Sequence, residues 1–363
     1  MFHRSNALFD RHAHREEATQ LPESSQDYWK AESIELHRSR RSFLKGSGAY
    51  LVGCGASLIF ESADAEDSSA LSSTDPQSST ASFETTEDFD CLLDLPPVTP
   101  DCARLYICRH GQTENNRLHL VQGARMDPSI NDNGYEQARR LGMTFSRLAS
   151  ESDEAFAIPS IVAHSKLRRA RETAKILSSV AEESWKPKLF GEIPALGEVD
   201  FGSLEGKDSN SAKMEMMSTF ASWAIGDIDK QLAGGESGRD VLERCVEALN
   251  VLSQTAVSSS TNTRAPSILA VSHSTYLRVL LSMVNDSPLS QSAFWKINNG
   301  SINVVDVNVK GKTRMINLSS SLFGGGRGLG VIPRGSSESM DIMMPESYLI
   351  RRNEIRHLNG MDV

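Results

Sequence analysis

Two short apolar runs, each closed by a histidine, constrain this chain more than any other feature. Leu105-Tyr106-Ile107-Cys108 leads directly into Arg109-His110-Gly111, and Ile268-Leu269-Ala270-Val271 into Ser272-His273-Ser274. Four apolar residues in a row, without alternation, suit a strand buried on both faces. The strand stops where the polar residues begin, so Arg109, His110 and His273 fall at the C-terminal edge of a sheet. In open α/β sheets ligands sit at that edge. A cation beside an imidazole there predicts His110 as a nucleophile towards phosphate and Arg109 as its first anion clamp.

Between and beyond the two runs, strand-like and helix-like segments alternate. Asn131 suits the N-cap of a helix reaching about Leu148, with Ala138, Leu141, Phe145 and Leu148 at helical spacing. Ile158 to His164 reads as a second strand. It leads into a helix opened by Lys166, Arg168, Arg169 and Arg171. Cations at a helix start oppose the macrodipole, a conflict that a bound anion would remove. Leu196-Gly197-Glu198-Val199-Asp200-Phe201-Gly202 reads as a loop, because glycines bracket its acids. Helices follow from Ser209 to Gly226, with Met residues and Trp223 on the apolar side, and from Gly234-Gly235-Glu236-Ser237 through Leu252. After His273, Tyr276 to Val284 reads as a helix and Ile302 to Val309 as a strand. A tight connection at Lys310-Gly311 joins it to Thr313 to Leu318, and Tyr348 to Ile350 would add a last strand.

The flanks have a different composition. Residues 1–38 mix charges of both signs without apolar periodicity and read as a disordered leader. Their His3, His12, His14 and His37 complete no metal-ligand spacing. Ser39-Arg40-Arg41-Ser42-Phe43-Leu44-Lys45 precedes an apolar run from Gly46 to Phe60 and the small-residue site Ala63-Asp64-Ala65. Residues 39–65 thus resemble a twin-arginine export signal. The signal implies a bacterial periplasm or the thylakoid lumen of a plastid; without it the protein would stay in the cytoplasm. The run is too short and Gly-rich for a stable membrane span. Residues 66–100 are rich in Ser, Thr and acids and close on Pro96, Pro97 and Pro100. That composition buries too little apolar surface to offset ordering entropy, so a linker is expected. The folded domain is expected over 101–318, and residues 319–363 as a Gly-rich loop and tail; the Gly324–Gly330 spacing is not a dinucleotide fingerprint.

The formal net charge of -9 argues against nucleic acid and membrane surfaces as partners, since both require basic patches. It leaves room for a locally basic pocket and a small phosphorylated substrate. The five cysteines form no Cys-x-x-Cys pair and fit no zinc pattern. Cys108 reads as a small core hydrophobe, and disulfides are not legible. The Asp/Asn/Gly spacing up to Gly134 suggests an EF-hand, but Arg140 stands where the bidentate Glu belongs. No cofactor or metal is expected, and the oligomeric state is not legible.

Together these pieces complete one chemistry. Phosphoryl transfer needs an unprotonated nucleophile, cations around the equatorial oxygens and a proton for the leaving oxygen. His110 can attack, Arg109, Arg169 and His273 can hold phosphate oxygens, and Glu198 can donate the proton.

Arg109-His110-Gly111-Gln112-Thr113-Glu114-Asn115-Asn116 with Gln122-Gly123 resembles the signature of the histidine phosphatase superfamily, branch 1, the phosphoglycerate mutase-like group. Ser165 to Ala174, Leu196 to Gly202 and Val271-Ser272-His273 match its later motifs in order. The resemblance covers roughly residues 103–307. It implies a three-layer α/β/α sandwich with a mostly parallel central sheet and a phosphohistidine intermediate on His110 that water hydrolyses, with no metal. It further implies Glu198 as proton donor, His273 as the second catalytic histidine, and Arg109, Asn116, Arg169 and His273 as phosphate ligands. Gln122 and Gly123 are expected to bind substrate. Ser274 and Ser129 depart from a usual Gly and Pro. Mutases of this family carry an Arg-rich segment after the acid loop, whereas Ser209 to Asp229 holds only Lys213. A phosphatase of a small metabolite is therefore expected. The alternatives are a phosphoglycerate mutase-type phosphotransferase, a protein phosphatase on phospho-Ser, phospho-Thr or phospho-Tyr, and a catalytically weak binding module.

Overall fold

A computed structural model describes residues 89–151, 156–181, 184–224, 227–260, 264–287, 289, 293–317 and 341–362. The expected leader, the export signal, most of the expected linker and the Gly-rich loop lie outside these residues. In chain order the strands are β1 Cys102–Arg109, β2 Ile161–His164, β3 Lys188–Glu192, β4 Ser267–Ser272, β5 Ile302–Asn308, β6 Thr313–Asn317, β7 Asp341–Pro345 and β8 Ser347–Glu354. The helices are α1 Glu114–Arg117, α2 Asp132–Glu151, α3 Arg168–Ser179, α4 Ser209–Ala224, α5 Gly238–Ser259 and α6 Ser274–Val284.

Six strands form one sheet in the order β3-β2-β4-β1-β5-β8. The four from β3 to β1 run parallel, while β5 and β8 are added antiparallel. Successive side chains of a strand point to opposite faces, and here both faces are buried. Ala103, Leu105 and Ile107 of β1 pack on one side with Ile268, Ala270 and the α5 and α6 residues Leu249 and Leu280. Tyr106 and Cys108 pack on the other with Leu269, Val271, Phe145 of α2 and Leu177 of α3. Helices therefore cover both faces, as the α/β/α expectation requires. That explains why the core strands read as unbroken apolar runs. The thiols of Cys91, Cys102, Cys108 and Cys245 are free and buried.

Both expected domain boundaries fall short. Phe89, Cys91, Leu92 and Leu95 are buried, so the last part of the 66–100 segment belongs to the folded unit. Two polar devices hold it there, and composition does not reveal them. Arg104 and Asp306 face each other across β1 and β5 as a fully buried ion pair, Nε to Oδ1 2.8 Å. Arg104 also donates to the carbonyls of Pro96 and Pro97, and Asp306 accepts from the Thr99 N–H and hydroxyl. Farther along, Arg351 and Arg356 both donate to the Cys91 carbonyl and to Asp94. Beyond the Gly-rich stretch, the expected tail forms β7, which pairs with β6, and β8, the last strand of the sheet.

His357, just past β8, is fully buried, and burial pulls its imidazole down to about 4. Its Nε2 lies 3.0 Å from the Gly300 carbonyl, which can only accept, so Nε2 carries the proton. The Gly300 N–H reaches back to the carbonyls of Arg109 and His110.

Breaking a buried pair strands its partner's charge. Asp306→Ala is therefore expected to lower unfolding stability by about 3–5 kcal/mol. A urea unfolding midpoint near the wild-type value would contradict this.

Candidate active site

The register of β1 against β4 sets the site. Cys108 lies beside Val271 and Arg109 beside Ser272, so the next residues of the two strands, His110 and His273, emerge side by side. Their rings sit 5.1 Å apart at a tilt of 52°. The His110 N–H donates to the Ser272 carbonyl at 3.0 Å, and the Asn299 amide donates to the His110 carbonyl at 3.0 Å, which fixes the backbone. His110 Nδ1 lies 2.7 Å from the Gly111 carbonyl. A carbonyl only accepts, so Nδ1 holds the proton and Nε2 is left with its lone pair.

Gly111 makes this corner possible. A Cβ there would run into the Gly134 carbonyl at the start of α2, and one on Gly134 would meet the Gln112 backbone. Asn131 caps α2 as its sequence suggests, accepting from the Gly134 N–H at 2.9 Å, and it also binds Gln112 through backbone and side chain.

The basic start of α3 resolves differently from the expectation of a bound anion. The Arg168 N–H donates to the Asp127 carboxylate, which serves as the anion at that helix end, and Arg168 pairs with Glu172. Of the four cations, only Arg169 is buried. Its guanidinium donates to the carbonyls of Met126 at 2.7 Å and Gly123 at 3.1 Å. Arg109 donates to the Ile297 carbonyl at 2.7 Å.

Burial dominates the electrostatics. Loss of water pulls Arg109 down to about 9 and Arg169 down to about 10, with Glu198 opposing both shifts. Burial first, then the charges of Arg169 and Arg109, hold the His110 imidazole well below its ordinary range. His273 is depressed in the same direction, by burial and then by Arg169 and its neighbours. Both rings are therefore neutral near pH 7. Arg109 Nε, Arg169 Nε and His273 Nδ1 are buried and have no hydrogen-bond partner among the described residues. A buried polar atom without a partner is costly and calls for an explanation. Here all three belong to groups able to donate, within electrostatic reach of His110 Nε2.

Glu198 arrives from the loop between two short 3-10 turns, Pro194–Leu196 and Gly202–Leu204. The N–H groups of Val199 and Tyr276 donate to its Oε1 at 3.0 and 2.9 Å, and that of Thr275 to Oε2 at 3.3 Å. Two of these donors are the free amides that open α6, where the dipole favours a carboxylate. Asn116 closes the capping box of α1 and accepts from the Asn299 amide at 3.1 Å.

A cleft of about 810 Å³ opens onto this group. Among the expected residues, Arg109, His110, Asn116, Gln122 and Glu198 line it. Arg169 and His273 are fully buried behind its floor. Gly123 acts indirectly: its carbonyl holds Arg169, and a side chain there would strike Glu205. Sequence reasoning missed Ser165, whose hydroxyl lies 2.7 Å from His273 Nε2, and Thr173, which accepts from the Gly111 N–H. Both lie within the quoted Ser165–Ala174 motif. It also missed Arg278 and Asn299, which line the cleft without a local motif to mark them. No three His, Cys, Asp or Glu side chains among the described residues are grouped to hold a metal, and none of the described helices is long and apolar enough to cross a membrane.

Comparison with known proteins gives one family. The family model described as "Histidine phosphatase superfamily (branch 1)" matches residues 105–317. The probable phosphoglycerate mutase GpmB of Erwinia tasmaniensis is 28% identical over 203 residues, 56% of this chain and 84% of that one. The broad-specificity phosphatase YOR283W of Saccharomyces cerevisiae is 28% identical over 186 residues, 49% of this chain and 68% of that one. Several 2,3-bisphosphoglycerate-dependent phosphoglycerate mutases are matched over 61% of their own length. Among solved structures, a putative alpha-ribazole-5'-P phosphatase from Escherichia coli is 24% identical, with 57% of this chain and 92% of that chain covered and a TM-score of 0.44.

The depressed histidines fix the sign of a pH effect. The unfolded chain binds protons near pH 6.5 that folded His110 and His273 do not, so stability is lost as pH falls below about 6.5 towards their folded values. A His273→Gln variant is expected to show a slope shallower by about one proton, near 1.4 kcal/mol per pH unit at most. Identical slopes in unfolding measurements between pH 7 and 5 would contradict this.

Proposed function

The chain belongs to the histidine phosphatase superfamily, branch 1, and within that family we propose that it is a phosphomonoesterase acting on a small phosphorylated metabolite. The observation that carries the reading is three buried nitrogens without a partner among the described residues, on Arg109, Arg169 and His273, whose charges or ring lie close to His110 with its free Nε2. A tetrahedral phosphate is a ligand whose oxygens would take up all three at once.

The mechanism starts from the neutral His110 ring and requires that Glu198 carry a proton in the substrate complex. The lone pair of His110 Nε2 attacks phosphorus in line with the leaving oxygen, and the P–O bond to the alcohol breaks. Glu198 gives that oxygen its proton, and the phosphoryl group remains on His110 as phosphohistidine. Water, losing a proton to the Glu198 carboxylate, then attacks phosphorus; the P–N bond breaks and neutral His110 returns. Arg109, Arg169 and His273 hold the equatorial oxygens throughout, with Asn116 at the rim. Guanidinium groups supply the charge that a metal supplies in other phosphatases, so no metal is invoked.

Two features favour hydrolysis over mutase chemistry and over action on proteins. Along α4, which forms one wall of the cleft, Lys213 is the only cation, so this helix offers no guanidinium to a second phosphate. His110 is only 2% exposed, at the base of the cleft, which suits a small ester better than a phosphorylated loop.

His110→Ala is expected to abolish hydrolysis of p-nitrophenyl phosphate, and Glu198→Gln to lower kcat by about 10²–10⁴. Activity should persist in a metal chelator, and wild type quenched in alkaline denaturant should carry phosphate on His110 that is stable to alkali and released by acid. Undiminished turnover in the His110 variant would end this reading.

A further inference from the structure

The outer half of the cleft is built differently from the phosphate end. α4 presents one helical face to it, with Lys213, Met216, Met217 and Phe220 at spacings of three and four. Phe220 is braced by Trp223, ring centroids 5.0 Å apart. Phe294, which lies outside α4, lines the same cleft. Phe294 is 76% exposed and Met217 41% exposed, although both are large apolar side chains. Such groups at the mouth of a site expose apolar surface that only a ligand would remove from water.

The charges at the same mouth tell against an anionic ligand tail. Arg117 lines the cleft but is already paired with Glu114 at the surface. Asp362 also lines it. Its carbonyl is fixed by the Asn133 and Gln137 amides at 2.7 and 3.1 Å, which holds its side chain at the rim beside Gln112. A carboxylate held there repels a second phosphate or carboxylate at the rim; of the other lining cations, Lys213 stands on α4, while Arg278 belongs to the phosphate end, beside Arg109 and Glu198.

We propose that this site selects phosphomonoesters of uncharged, apolar alcohols, whose hydrocarbon part lies between α4 and Phe294 while Asp362 turns away doubly anionic substrates. The proposal rests on the phosphomonoesterase reading above. It adds a specificity filter in two parts, an apolar clamp and an acidic rim.

The test uses the full chain and three alkyl esters with leaving alcohols of similar acidity, so that rate ratios report recognition of the alcohol: 2-phenylethyl phosphate, glycerol 3-phosphate and 3-phosphoglycerate. The expected order of kcat/KM is as written, with about tenfold or more between the first and second. Phe294→Ala and Met217→Ala, both at exposed positions that do not support the core, should each reduce the phenylethyl-to-glycerol ratio about three- to tenfold, through KM. Asp362→Asn should raise 3-phosphoglycerate turnover several-fold relative to phenylethyl phosphate, and more at low salt than at high salt. Wild-type preference for 3-phosphoglycerate, or ratios unmoved in all three variants, would overturn the filter while leaving the phosphomonoesterase reading intact. Failure to hydrolyse any of the three esters or p-nitrophenyl phosphate would instead remove that underlying reading.

Discussion

Two guanidinium groups held out of water at the end of a parallel sheet are the constraint around which the rest of this domain is organised. Burying Arg109 and Arg169 without a full carboxylate partner is unfavourable, and the fold offsets only part of that cost with carbonyls from Ile297, Met126 and Gly123. Burial, and then the remaining positive potential, keeps two neighbouring imidazoles uncharged. Neutral rings beside fixed cations are what phosphoryl transfer to nitrogen requires: a nucleophile that is not protonated, and donors already oriented where negative charge will gather. On the proposed reading, the same arrangement that costs stability is offset by binding of the substrate phosphate.

The sheet makes this affordable by register rather than by loop design. Both histidines follow directly on buried strands that pair with each other, so their relative position is set by backbone hydrogen bonds between β1 and β4. The glycine at position 111 then lets the chain turn against α2, and the helix that carries Arg169 packs on the same face. Loops supply Glu198 and Asn299, and the short helix α1 supplies Asn116. The first of these is steadied by the opening amides of α6.

The strands that bear chemistry were legible because a fully buried parallel strand needs an unbroken apolar run, and each run here ends in the residue that matters. The helices of the two outer layers were legible through their period, with ends displaced by a few residues. What could not be read was held by polar contacts between distant parts of the chain. Residues 89–100 have the composition of a linker, yet Arg104, Asp306, Arg351 and Arg356 tie them down from positions up to 265 residues away. The exposed edge strand β3 escaped notice because its Leu189 and Phe190 sit between a lysine and a glycine without alternation. The α3 cations suggested a bound anion, but Asp127 supplies the charge from another loop. Asn299 and Arg278 carry no motif, since their function depends only on where the fold delivers them.

One contact described above has a consequence for the order in which the molecule is made. The carbonyl of Gly300 is held by His357, and its N–H bonds to the backbone of Arg109 and His110. The turn that steadies the first histidine is therefore itself steadied by a residue near the far end of the chain. During synthesis, the parallel strands and their helices leave the ribosome well before β8 and His357 do. A chain cut between β5 and β8 would therefore keep the pairing of β1 with β4 yet lose the brace on the turn beside His110.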